Sequence, residues 1–154
     1  MKNKIAIKGL VTVEVFRAQT GKREVICKDK PNLLTSAGRD WIHNQLYTAG
    51  TTDEALYIAV SSDTGGVSSA HTSLAGEIVT NGLERAAGTP SHTAGTPTTT
   101  ITKTFIAGGS FTAVQLTGLL TASSGGTLVH ENTFSSVNLG LNDQLTVTWT
   151  ITAA

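Results

Sequence analysis

Residues 144–153, Gln-Leu-Thr-Val-Thr-Trp-Thr-Ile-Thr-Ala, alternate apolar side chains with threonine almost without a break. That period of two puts Leu145, Val147, Trp149 and Ile151 on one face of an extended strand and Thr146, Thr148, Thr150 and Thr152 on the other. Branching at Cβ on both faces costs rotamer freedom in a helix and fits a pleated sheet. A strand whose backbone groups all need partners is expected to lie inside a sheet.

The same pattern recurs upstream. Gly9 to Arg17 alternates Val11, Val13 and Val15 against Thr12 and Glu14. Ala18 to Lys22 forms a turn in which Gly21 is free to take positive φ, and Arg23 to Lys28 returns as the second strand of a hairpin. Pro31 ends that strand, and Thr35 or Ser36 can cap a helix. Ala37, Trp41, Ile42 and Leu46 then fall at helical spacing, opposite Arg39, Asp40, His43 and Asn44, which predicts one helix from Ser36 to Tyr47. Leu33 or Leu34 is expected over its first turn, with Trp41 as its anchor in the core.

Ala55 to Ser61 reads as a short buried strand, and Ser62 to Ser73 as a loop. Glu77 to Ala86 reads as a weak strand interrupted at Asn81-Gly82. Ala87 to Pro97 carries no apolar residue larger than alanine apart from its prolines and reads as an extended loop. Strands follow at Thr98–Ala107, Phe111–Leu120 and Thr127–Phe134, and Asn138 to Asp143 turns into the closing strand. The expected fold is mainly β: one antiparallel sandwich or barrel-like domain of about six to eight strands with one short helix. Residues 1–8 are expected to form an N-terminal arm.

A chain of 154 residues can bury about two-thirds of its unfolded surface, so neither disulfides nor a metal is needed for stability. Cys27 is the single cysteine and reads as a small apolar side chain in a strand, consistent with a reducing compartment. No stretch reaches the ~20 apolar residues of a membrane span. Lys8 interrupts what would be the apolar core of a signal peptide, so a soluble protein without export signal is expected.

Only 14% of residues are charged, which favours a surface partly covered by neighbouring molecules. The neutral total hides a split. Residues 1–40 hold nine basic side chains against four acidic ones, a balance of +5, and residues 41–154 hold two against seven, a balance of −5. Among the basic residues Phe16 is the sole aromatic, so nucleic acid is not the expected partner. A solvated face, an acidic partner surface, or the opposite end of a sister copy are the alternatives.

Signals for chemistry are absent. His43, His71, His92 and His130 match no metal-ligand spacing. His130 and Glu131 are adjacent in a strand and must point to opposite faces, while His71 and His92 are expected to be exposed in loops. Asp53, Glu54, Asp63 and Glu77 could supply paired carboxylates only by meeting in space. No nucleophile elbow, phosphate loop or dinucleotide fingerprint is present, and the glycine pairs Gly65-Gly66, Gly108-Gly109 and Gly125-Gly126 read as turns. Catalytic, cofactor-binding and metal-binding residues are therefore expected to be none, and the chain is not expected to be an enzyme.

Taken in order, several pieces resemble a family of small structural virion proteins of tailed bacteriophages. They are the opening hairpin with Thr20-Gly-Lys22, Lys30-Pro-Asn-Leu-Leu-Thr-Ser-Ala-Gly-Arg39 entering the helix, and Leu56-Tyr-Ile-Ala-Val60. Thr72-Ser-Leu-Ala-Gly-Glu77 leading to Arg85, and the Leu-Thr-Val-Thr-Trp-Thr-Ile ending, complete the set. The chain departs from the family pattern in carrying Ser61-Ser62 where Gly-x-Gly is common, and Thr112-Ala-Val-Gln-Leu-Thr in place of a glutamate-rich segment. The resemblance implies a virion component assembled in the host cytoplasm, with capsid decoration favoured and a trimer as the expected homo-oligomer. The implied partner is the major capsid protein or another virion protein, with Lys2, Lys4 and Lys8 meeting its acidic side chains. A tail, neck, baseplate or fibre-base adaptor, and a carbohydrate- or receptor-binding module, are the alternatives.

Overall fold

The computed structural model describes residues 6–48 and 53–153. Ten strands and one helix build two five-stranded antiparallel sheets, a β-sandwich with no closed barrel. The strands are β1 (Ile7–Phe16), β2 (Arg23–Pro31), β3 (Leu33–Leu34), β4 (Tyr57–Ser61) and β5 (Ala86–Ala87), followed by β6 (Thr89–His92), β7 (Thr98–Ile106), β8 (Phe111–Leu120), β9 (Leu128–Leu139) and β10 (Gln144–Ala153). One sheet has the order β2-β1-β10-β7-β6 and the other β3-β9-β8-β4-β5.

The closing strand is at the centre of the first sheet, between β1 and β7. Its apolar face enters the core: Leu145, Val147 and Trp149 have no exposed surface. Across the interior they join Val11, Val13 and Phe105 of the same sheet with Ile58, Leu119 and Val137 of the other. Fully burying a side chain of this size contributes about 1.5–3 kcal/mol, so the layer between the sheets is the main source of stability.

The second sheet is buried on both faces. Leu116, Leu120, Leu128 and Ala59 form a smaller cluster on its outer side with Leu74, which the segment after β4 lays across them. This double burial explains why Tyr57–Ser61 shows no polar face of its own.

The α-helix α1 (Ser36–Tyr47) has the predicted bounds. Thr35 caps it with extended backbone, its hydroxyl accepting from the Gly38 N–H at 2.9 Å, and the same hydroxyl donates to the Leu128 carbonyl. Gly38 is the buried residue of the helix because α1 rests directly on β9: a Cβ there would lie 2.4 Å from the Val129 carbonyl oxygen.

Several expectations are corrected. Trp41 is only half-buried and lies outside the main core, since α1 covers one end of the sandwich rather than entering it. Leu33 and Leu34 form a short strand paired with Glu131 and His130 of β9, a pairing the sequence did not signal, and Leu34 also borders α1 in a hollow shared with Arg39 and Ile42. Glu77 to Arg85 is not a strand, and only Ala86 of the expected element belongs to one, β5: a single bridge joins Glu77 to Ser61, and the chain then turns through Asn81 and Gly82, both at positive φ. Gly82 is required there, because a Cβ would sit 2.0 Å from the Ile106 carbonyl oxygen. The extended loop assigned to residues 87–97 contains Ala87 of β5 and the whole of β6, an exposed edge strand bonded to β7 from Thr89 to His92. Of the arm assigned to residues 1–8, Ile7 and Lys8 belong to β1, and residues 1–5 lie outside the described residues.

Candidate functional site

The alternation of residues 144–153 has its largest consequence on the outside of the first sheet. The register opposes Thr146 to Thr104, Thr148 to Thr102, Thr150 to Thr100 and Thr152 to Thr98. On the far side of β10, Thr12 opposes Thr148, and on the edge strand Thr89 opposes Thr102 and Ser91 opposes Thr100. Threonines therefore line up in four rows across β10 and β7, one of which runs on into β1 at Thr12 and into β6 at Thr89, while Leu10 and Glu14 take the neighbouring positions of β1. Strands stand about 4.8 Å apart and same-face residues about 6.7 Å apart along each strand, so methyls and hydroxyls repeat on a regular grid. None of these threonines is fully buried. Thr104 and Thr146 share a hydrogen bond at 2.8 Å, and the Thr102 hydroxyl donates to that of Thr148 at 3.2 Å. Cross-strand hydroxyl pairs of this kind hold the side chains in fixed rotamers.

Among the described residues, charge on this face is confined to its β1 and β2 side, where Asp29 of β2 accepts from the Thr12 hydroxyl at 3.3 Å and Arg23 lies over the Phe16 ring. Along β1, β10 and β7, the charged side chains in these rows are Lys8, opposite Thr152, and Glu14, opposite Thr146, among the described residues. Both are exposed. Of the three lysines expected to meet a partner, Lys8 is thus at a corner of the threonine face, while Lys2 and Lys4 fall outside the described residues.

Two arginines hold carboxylates in ion pairs at the rims. Beside the β1–β2 turn, Arg17 holds Glu24 through two bonds of 3.1 and 3.0 Å and Asp143 through one of 3.0 Å. Its hydrogen bond to Glu24, foremost, raises the Arg17 pKa above the ordinary value and lowers that of Glu24. Burial works against the Asp143 carboxylate, yet the N–H groups of Gly140 and Ala18, together with Arg17, overcome it and hold its pKa below the usual range. Asp143 therefore ties the first hairpin to the turn before β10.

A second pair clamps the long segment over the other sheet. Glu77 accepts two bonds from Arg85, whose remaining N–H groups donate to the carbonyls of Ala122 at 3.1 Å and Gly125 at 2.7 Å. Further along, Glu131 is fully buried and accepts from the Ser68 N–H at 2.6 Å, with His71 Nδ1 at 2.9 Å. His71, expected to be solvated, is thus a partner of Glu131. His130 does point to the opposite side, as adjacency in a strand requires, and stacks on Trp149 between the sheets. Burial lowers its pKa to about 4, so the ring is neutral. Cys27 is half-buried against the core, and burial raises its thiol pKa. His92 stays on the surface, its Nδ1 2.9 Å from the Thr98 carbonyl oxygen.

Among the described residues, no group of three or more His, Cys, Asp or Glu side chains is placed to hold a metal ion. Among the same residues, no helix is long and apolar enough to cross a membrane. Comparison of the chain with protein families, with curated proteins and with solved structures returns no match. The threonine face is a regular feature that the first sheet presents outward. The alternation at residues 144–153 signalled one row of it, but its width depends on three neighbouring strands.

Proposed function

We propose that this chain is a structural virion protein of a tailed bacteriophage, a decoration protein that docks on the outer capsid surface and stabilises the shell. The observation that carries the reading is the threonine face: an ordered surface on β10, β7 and β6 whose threonine rows carry no charged side chain, with two of its cross-strand threonine pairs hydrogen-bonded. Such a surface costs little to desolvate and loses little side-chain entropy on docking, the two penalties that usually limit protein association. The likeness of the opening hairpin, the helix entry and the Glu77…Arg85 element to small virion proteins supports the same reading. A protein that binds only the assembled shell stabilises it by mass action, and an interface of roughly 1,600 Å² is a normal size for the contact. Lys8, exposed at the corner of the face, would meet an acidic side chain of the capsid subunit.

The test is occupancy. Shells stripped of decoration are mixed with purified protein, wild type or Thr148→Arg, and bound copies are counted by gel densitometry and by density on the particle. Thr148→Arg places an unpaired charge at the centre of the face and is expected to abolish binding while leaving the melting temperature nearly unchanged. Undiminished occupancy by this variant, or density at the tail or neck instead of on the capsid exterior, would refute the reading.

A further inference from the structure

At the end of the sandwich covered by α1, two hollows meet. One, about 310 Å³, lies along the outer side of the helix and is lined by Leu34, Leu46 and Tyr47 with Arg39 and His43. The other, about 220 Å³, runs beneath the helix and is lined almost wholly by apolar side chains, with Trp41 and His130 among them. Ile7 and Ile42 line both.

The helix is unusually poorly covered for an element so positioned. Leu46 and Tyr47 are 63% and 74% exposed, although both sit beside the outer hollow. An apolar crevice flanked by exposed large apolar side chains is the pattern of a ligand groove rather than of a finished core. Charge is distributed asymmetrically along it. Among the described residues, the outer hollow carries Arg39 and His43 and no acidic lining residue, whereas the inner hollow carries no charged residue, since His130 is neutral. Asp40 is on the same helix but lines neither hollow.

We infer that the crevice under α1 binds a small amphipathic acid, a linear monocarboxylate of medium chain length, with its tail beneath Ile42 and its carboxylate at Arg39. The tail would lie against Ile101, Leu119 and Ile151, where each methylene is removed from water. The guanidinium offers the carboxylate a two-pronged partner at the mouth, where solvent still reaches it. This site is independent of the threonine face and of the virion reading.

Trp41 provides the readout, because it lines the inner hollow while Trp149 is fully buried in the core. Titration with decanoate carrying a terminal bromine should quench the Trp41 fluorescence saturably. Arg39→Glu should weaken decanoate binding about tenfold and leave decanol binding unchanged, since Arg39 is exposed and its replacement does not touch the fold. Ile42→Trp should fill the junction of the hollows and remove binding of both. Absence of saturable quenching would overturn the inference, as would equal decanoate affinity in Arg39→Glu. If Ile42→Trp does not fold, the comparison of decanoate with decanol on wild type and Arg39→Glu decides alone. Binding of an apolar peptide in preference to either small molecule would also count against it.

Discussion

Replacing Gly38 by alanine separates helix propensity from tertiary contact, because the two predict opposite signs. Within a helix, Gly→Ala stabilises by about 1 kcal/mol through the entropy of the unfolded chain. Here a Cβ would lie 2.4 Å from the Val129 carbonyl oxygen and 2.6 Å from its Cα, both backbone atoms of β9. Ordinary contact begins at 3.4 Å, so α1 must lift by about 1 Å. That motion stretches the cap from Thr35 to the Gly38 N–H and the bond from the Thr35 N–H to the Val129 carbonyl, now 2.9 and 3.0 Å. Overpacking costs about 1–3 kcal/mol and a weakened cap about 1 kcal/mol more, against the propensity gain of about 1 kcal/mol. The net is a loss of about 1–3 kcal/mol, or a drop in melting temperature of roughly 3–10 °C for a domain of this size. Thermal unfolding followed by circular dichroism measures it, with Asp40→Ala on the exposed side of the same helix as the control for propensity. A Gly38→Ala variant that melts at or above the wild-type temperature would show that the close approach of α1 to β9 is wrong.

Further outcomes follow from the same structure. Trp149→Ala, which empties the centre of the core, should cost about 3–5 kcal/mol in urea unfolding, and a loss under 1 kcal/mol would contradict its full burial. His130 is buried neutral, with its pKa lowered from 6.5 to about 4, so the unfolded chain binds the extra proton between those values. Stability should therefore be whole above pH 6.5 and fall by about 3 kcal/mol as pH drops toward 4, and His130→Phe should remove that slope. Coincident wild-type and variant slopes would refute it. Glu24 and Asp143 titrate below their ordinary values of 4.5 and 3.8, so their contribution is present above those values and lost as pH falls through the lowered ones. Asp143→Asn should lower stability at neutral pH and leave less to lose in acid, which equal acid sensitivity of the two proteins would disprove. Thr35→Ala should cost about 1–2 kcal/mol by removing the cap and the bond to Leu128, whereas Thr35→Ser should cost far less.

What the sequence determined by itself is local. The alternation in residues 144–153 specified β10 and both its faces, Val11, Val13 and Val15 specified β1, and Thr35 before an apolar stripe specified α1. Period and capping are carried by residues within one or two turns of each other, so no distant partner is needed to read them. Tertiary structure decided the rest. Thr89 to His92 has no apolar alternation and is a strand only because its backbone bonds to β7. Ile78 and Leu83 looked like parts of a strand, but they are apolar points of an irregular segment held by Arg85 and by the turn at Gly82. His71 meets Glu131 across sixty positions of sequence. The threonine face exists because the register of β10 with β1 and β7 brings separate rows into line. Side-chain period is a property of one strand, whereas a surface is a property of the order in which strands pair, and that order is set by which apolar faces can be buried together.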